Sequence, residues 1–234
     1  MTSNQLKQSR DKAGWTQMRL ARGLGVTQEY VSLMETGKRR IPDRVARTAA
    51  RLLRMPASVL PLPPTERLER PVTNAMVEAD LARLGYPGLA YKKKHGEVLN
   101  PTAVLLSALA LDNLEARLGE ALPWLLLEFA EIDFDALIAR AKARDLQNRL
   151  GFTVALARQI TERNARYHHR TEGFRRLEEA LEPSRLARED TFGKRESSER
   201  ILEWIREHRS EAAKHWNLLT DLRAENLPYA DRDP

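Results

Sequence analysis

The chain of 234 residues contains no cysteine, which excludes a disulfide framework, a thiolate nucleophile and Cys-ligated zinc or iron–sulfur centres. Aromatic residues make up only 6% and are scattered, so no stacking platform for single-stranded RNA is evident. Glycine is sparse, and its positions form no phosphate-cradling loop. Long hydrophobic runs are also missing. The longest nearly apolar stretch, 103 to 111, includes Ser107 and is too short to cross a bilayer. The first residues, MTSNQLKQSRDK, are polar and lack the apolar core of a signal peptide. A cytoplasmic location is expected.

Recognisable catalytic sets are absent as well. No Ser-His-Asp order and no zinc signature appears. Asp133 and Asp135 form a D-x-D pair, but they directly precede an apolar helix, and N-capping explains them more simply than a metal, which needs more ligands in a set geometry. His168 and His169 are adjacent, and on a helix their side chains diverge by ~100°. His208 and His215 lie on either side of a break at Ser210. The expectation is a protein that is not an enzyme and holds neither metal nor cofactor.

What is present is concentrated in residues 16 to 37, TQMRLARGLGVTQEYVSLMETG. The stretch reads as two short helices joined by a tight turn. Thr16 is a good N-cap for the first, Leu20 and Ala21 face inward, and Gly23 and Gly25 supply the permissive backbone that ends it. Thr27 caps the second helix, which buries Val31 and Met34 along one edge. Its outer face carries Gln28, Glu29, Ser32 and Leu33, where a recognition helix presents side chains to base edges in the major groove. Charge agrees with this assignment. Residues 1 to 70 hold 14 Lys and Arg against 6 Asp and Glu, a net of +8, whereas residues 71 to 234 hold 25 against 27, a net of −2. The whole basic excess lies beside the motif, as contact with phosphate requires.

The pattern T-Q-x-x-L-A-x-x-L-G-V-T-Q-x-x-V-S-x-x-E-x-G resembles the Xre/Cro-type helix-turn-helix of phage and bacterial repressors. Arg10 upstream and Pro42 downstream also fall in register. The resemblance implies that Gln17 holds a phosphate, that Gln28 and the outward residues after it read bases, and that Arg10 pairs with Glu35 to brace the helices. Two residues depart from the pattern. Arg19 stands where many relatives carry Glu, so the usual capping box of that helix is missing, and Tyr30 is bulkier than the small residue often found there. The candidate DNA-binding residues are Thr16, Gln17, Thr27, Gln28, Glu29, Tyr30, Ser32, Leu33, Lys38, Arg39 and Arg40. One recognition helix reads few base pairs, so a homodimer on two half-sites about 34 to 36 Å apart is expected. The operator DNA is double-stranded, and the protein then sits on the bacterial nucleoid.

Around the motif the pattern predicts a five-helix domain spanning 1–64. Residues 5–12 form a first helix with Leu6 inward; Asp43 caps a fourth with Val45, Ala49 and Leu52 buried; a short fifth lies near 57–60. Arg44, Arg47, Arg51 and Arg54 form a basic row, either a solvated surface or phosphate contacts. Prolines at 56, 61, 63, 64 and 71 read as a semi-rigid linker, with the boundary near 65.

Residues 65–234 are expected to be an all-α multi-helix bundle. Helices are predicted over 73–84, from Pro101 behind an Asn100 cap, over 112–120, from Pro123, over 145–160, over 162–181, over 196–208 and over 210–222. Ile201, Trp204 and Ile205 mark a buried side, as do Ala212, Trp216 and Leu219. Residues 85–100 read as a loop or small hairpin whose Lys92, Lys93, Lys94 and His95 are more simply a solvated turn than a nucleic-acid contact. ALPWLLLEF, RDLQNRLGF and HWNLLTDL resemble phrases in the carboxy-terminal domains of Xre-type regulators encoded beside nucleotidyltransferase-like toxins of the AbiEii type. That resemblance implies an antitoxin that represses its own operon and binds the toxin, with Arg144, Asp145, Asn148, Arg149, Trp216 and Asn217 as candidate partner contacts. The plainer reading makes these residues core and inter-helix hydrogen bonds. The alternative functions are a ligand-responsive regulator with no toxin partner and, with least support, a DNA-tethered enzyme.

Overall fold

The computed structural model describes residues 1–62, 71–92, 95–129, 131–193 and 198–230. It is mostly helical. The linker prolines 63 and 64, the boundary at 64/65, Lys93, Lys94 and the predicted helix start at Glu196 lie outside the described residues.

The amino-terminal part contains α1 (Ser3–Lys12), α2 (Gln17–Leu24), α3 (Gln28–Glu35) and α4 (Asp43–Leu52). The expected fifth helix is a single 3₁₀ turn, Ala57–Val59. Helix α1 begins two residues earlier than its apolar pattern suggests. Thr2 accepts from the Gln5 amide while the Gln5 side chain accepts from the Thr2 amide, a reciprocal capping box. Gly25 ends α2 in the left-handed region at φ 68°. Gly23 has a different use, since it lies within α2 and a Cβ there would meet Leu52 of α4 at 2.9 Å. Asp43 is the first residue of α4 and not its cap; Pro42 occupies that position without a side-chain bond. Leu6, Leu20, Val31, Met34 and Ala49 form the core of this part.

A larger core gathers residues from Val77 to Ala230. Its elements are α5 (Asn74–Leu84), α6 (Pro101–Leu109), α7 (Ala116–Gly119), α8 (Ala121–Glu128), α9 (Phe134–Lys142), α10 (Gln147–Arg163), α11 (Thr171–Leu181), α12 (Glu199–His208) and α13 (Glu211–His215). The 17-residue α10 is central and packs against α8, α9, α11 and α13. Asn100 caps its helix as expected; Asp133, and not Asp135, caps α9; and Thr73, expected as the first residue of its helix, is the cap of α5.

Local patterns mislead where side chains replace helical hydrogen bonds. The helix expected over 112–120 shrinks to α7, because Asn74 bonds the Asn113 carbonyl and the Glu115 amide, each at 3.0 Å. Among the described residues of 85–100 there is no strand; Pro87–Leu89 is a 3₁₀ turn. Helix α8 starts before Pro123, which sits in its first turn, where a missing N–H costs nothing. Asp145, at φ 57°, lies in the break between α9 and α10. At Asn164 the backbone leaves α10, and the Asn164 side chain accepts from the Arg166 amide to start a 3₁₀ stretch, Ala165–Arg170. The last predicted helix stops at His215. Asn217 turns left-handed at φ 52°, and Leu218–Leu219 (β2) pairs in parallel with Asp190–Thr191 (β1).

The expected buried side of α12 is largely uncovered. Ile201 and Trp204 show 50% and 53% of their surface to solvent, Ile205 is half-buried, and no residue of α12 is buried.

Candidate nucleic-acid interface

Each helix of the motif starts from a threonine in extended backbone. The Thr16 hydroxyl accepts from the Arg19 amide at 3.1 Å and the Thr27 hydroxyl from the Tyr30 amide at 3.2 Å, each cap worth about 1 kcal/mol. Arg19 stands where the capping-box carboxylate would be and, having no acceptor, cannot bond the Thr16 amide; its guanidinium lies instead 4.3 Å from the Trp15 ring centroid, a cation–π contact that ties the start of α2 to the residue before its cap.

The brace between α1 and α3 is bidentate. Arg10 Nε donates to Glu35 Oε1 at 2.6 Å and Nη2 to Oε2 at 2.9 Å, while Nη1 reaches the Trp15 carbonyl at 2.8 Å and Asp11 at 2.6 Å. Both partners are buried. The hydrogen bond to Glu35 holds the Arg10 pKa above its ordinary value, against the opposing effect of burial. Losing either partner would strand a charge in the core of the motif. Gln17 joins the same cluster, its Nε2 donating to Glu35 at 2.9 Å. Its amide therefore has one N–H committed to the brace and one left for a phosphate.

Outside the brace, Thr16, Thr27, Gln28 and Glu29 are exposed, with Tyr30, Ser32 and Leu33 half-buried along the same helix. The exposed loop after α3 carries Lys38, Arg39 and Arg40. Arg39 is held at both ends. Its backbone amide donates to the Leu33 carbonyl at 3.0 Å, and its guanidinium lies 4.2 Å from the Tyr30 ring centroid. The bulky Tyr30 thus forms a shelf that fixes a cation next to α3. A Tyr nine residues before an Arg carries no periodic signal, which is why sequence reasoning missed the pair.

The basic row on α4 divides. Arg44 is exposed, but Arg47 pairs with Glu97 at 2.8 Å, Arg51 lines the same cleft as Glu97, and Arg54 lies past the helix at φ 50°. Arg47 and Arg51 therefore turn toward the carboxy-terminal bundle.

Residues 3–62 match the family model described as a helix-turn-helix domain. The amino-terminal part is a helix-turn-helix domain. The match supports a DNA-binding regulator. Comparison of the chain with curated proteins and with solved structures finds no match.

The candidate partner residues in the carboxy-terminal bundle are mostly interior, which corrects their reading as a contact surface. Arg149 is buried; it donates to the Leu109 and Leu111 carbonyls at 2.8 and 3.2 Å and pairs with Asp190 and Asp112. It satisfies carbonyls that the end of α6 leaves open. Asn148 clamps Leu186 through both its amide and its carbonyl, and Asn217 donates to the same Leu186 carbonyl at 2.8 Å. Trp216 is fully buried against Gly151. Only Asp145 is exposed, 3.5 Å from Arg188; Arg144 is half-buried beside it. RDLQNRLGF and HWNLLTDL are thus two halves of one interior joint. Among the described residues no cluster of three or more His, Asp or Glu is arranged to hold a metal, and no helix is long and apolar enough to cross a membrane.

Proposed function

We propose that this chain is a sequence-specific, non-enzymatic transcriptional repressor of the Xre type, with residues 1–64 reading double-stranded operator DNA and residues 65–234 serving self-association and partner binding. The observation that carries the reading is the exposed face of α3, Gln28 and Glu29 at its start and Arg39 fixed on Tyr30 beside it, presented on a helix that the buried Arg10–Glu35 pair holds in place. Gln28 is the base-reading residue, since an amide can bond both N6 and N7 of adenine. Thr16, Gln17, Thr27, Lys38, Arg39 and Arg40 hold phosphates, and Glu29, Tyr30, Ser32 and Leu33 complete the reading edge. The protein acts in the cytoplasm, on the nucleoid.

Dimerisation through α12 fits the exposed stripe of Ile201, Trp204 and His208, in which the Trp204 and His208 rings stack at 4.5 Å. Arg200 and Glu207 flank the stripe at opposite ends of α12, so an antiparallel pairing of two copies sets each Arg200 against the other copy's Glu207. By its resemblance to regulators encoded beside nucleotidyltransferase-like toxins, the carboxy-terminal part neutralises such a toxin and the chain represses the shared operon.

Selection of bound duplexes from a random pool, followed by titration with Gln28→Ala, tests DNA reading. Loss of the selected preference with nonspecific affinity retained supports it, and no preference in the parent chain refutes it. Sedimentation equilibrium of Trp204→Glu tests the dimer. A pull-down with the full chain from its native host tests the toxin partner.

A further inference from the structure

Between α4 and residues 96–98 lies a cleft of about 490 Å³, within the range of small-ligand sites and at a junction of two cores, where such sites concentrate. One wall is basic. Arg47 and Arg51 stand one turn apart on α4, Arg47 pairs with Glu97 across the cleft at 2.8 Å, and Arg51 has no acidic partner among the described residues. Thr48 apart, the remaining side chains of the lining are apolar: Ala50, Met55, Ala57, Leu60 and Val98. Val98 leaves 38% of its surface in solvent. The loop bearing Glu97 and Val98 is anchored from behind, because Arg83 donates to the His95 carbonyl and pairs with Asp80.

We infer that this cleft binds a small amphipathic carboxylate, its head on Arg51 and Arg47 and its short aliphatic tail over Met55, Leu60 and Val98. Two guanidinium groups and one carboxylate leave a single positive charge, which selects a monoanion over a dianion. No aromatic side chain is among the described lining residues, so a nucleobase would find nothing to stack on. A bound head group competes with Glu97 for Arg47, and that ion pair joins α4 to the carboxy-terminal bundle. Helix α4 packs on α2 of the motif through Leu52 and Gly23, so occupancy of the cleft reaches the DNA-binding helices. Binding is independent of the DNA-reading proposal; its effect on operator affinity rests on it.

The test uses the full chain labelled with ¹³C at its methionine methyl groups, titrated with octanoate and, as the charge-reversed control, octylammonium. Met55 lines the cleft; of the other four methionines, Met18 and Met76 are exposed elsewhere, Met34 is in the core of the motif, and Met1 packs with Met55 against Ala50 and Leu60. Octanoate should shift the Met55 signal saturably and leave Met18, Met34 and Met76 in place, with octylammonium inactive. Arg51→Gln should weaken binding at least ~10-fold, and Glu97→Gln, which removes the competing carboxylate, should tighten it by a similar factor, each tenfold step being about 1.4 kcal/mol. An unmoved Met55 signal, an equal response to octylammonium, or affinities unchanged in both variants overturns the inference. Gel shifts of the parent chain without octanoate report on DNA reading separately.

Discussion

The side-chain nitrogen of Asn100 donates to the backbone carbonyl of Leu60 at 2.6 Å, while its oxygen accepts from the Thr102 amide at 2.9 Å. A single buried amide thus caps α6 and holds the 3₁₀ turn that closes the helix-turn-helix domain, with a further bond to the Ser58 carbonyl at 3.0 Å. Both ends of the group are used, so no apolar substitute can serve.

Asn100→Ala removes a cap and two bridging bonds, and should cost about 2–3 kcal/mol from the ranges for a lost N-cap and for net hydrogen bonds. Asn100→Asp keeps the acceptor for Thr102 and loses the donors to Ser58 and Leu60. Urea unfolding of both variants separates the two roles. Equal losses would mean that the cap contributes nothing beyond the bridge.

Two glycines inside helices should respond to alanine with opposite signs. At Gly173 in α11 a Cβ meets nothing within 4 Å, whereas at Gly151 in α10 it would lie 2.5 Å from the Trp216 indole. Gly173→Ala should stabilise by about 0.5–1 kcal/mol through helix propensity. Gly151→Ala should destabilise by about 1–3 kcal/mol, because a buried indole against the central helix has no room to retreat. Thermal melts of the pair check both signs.

Stability should fall on the acid side in part through Glu78. A hydrogen bond from Lys92 at 2.7 Å holds this carboxyl below its ordinary value near 4.5, against burial, which pushes it up, and with help from Arg117 at 2.8 Å. The unfolded chain therefore takes up the proton first. The contribution is complete above the ordinary carboxylate range and is lost as pH falls through the depressed folded value. Glu78→Gln should flatten the decline of stability between about pH 5 and pH 3 relative to the parent chain. An unchanged acid limb would assign the decline to other carboxylates.

Phosphate contacts at the loop after α3 should appear in the salt dependence of DNA binding. Replacing Arg39 and Arg40 together with Gln should reduce the slope of log affinity against log salt by about 1.8, that is about 0.9 for each lost phosphate contact. A slope equal to that of the parent chain removes both residues from the interface. Tyr30→Ala, which takes away the shelf under Arg39, should lower affinity with little change in slope.

The motif was legible because its signals are local. Thr16 and Thr27 as caps, Gly25 as a left-handed stop, and Leu20, Val31 and Met34 at helical spacing each act over three or four residues, and the helix-turn-helix forms where they place it. The same holds for Asn100 and Pro101 at the head of α6. The pattern was less informative wherever a polar side chain from a distant segment took over a backbone group. Asn74 unwinds the helix expected over 112–120, and Asn217 with Leu186 turns a predicted helix into a strand. Periodicity also could not tell a face covered by core from one left in water, so the stripe on α12 looks like that of a buried helix and is not.

By itself the sequence determined the helical class, the position of the helix-turn-helix and the concentration of positive charge around it, because capping, helix period and formal charge are properties of neighbouring residues. Only the tertiary structure decided what the polar residues are for. Gln17 shares Glu35 with Arg10, Arg149 closes the end of α6 instead of meeting a partner, and Arg47 faces Glu97 across a cleft. In each case the partner lies 18 or more residues away, and a charged or amide side chain takes its meaning from the group that satisfies it when water is removed.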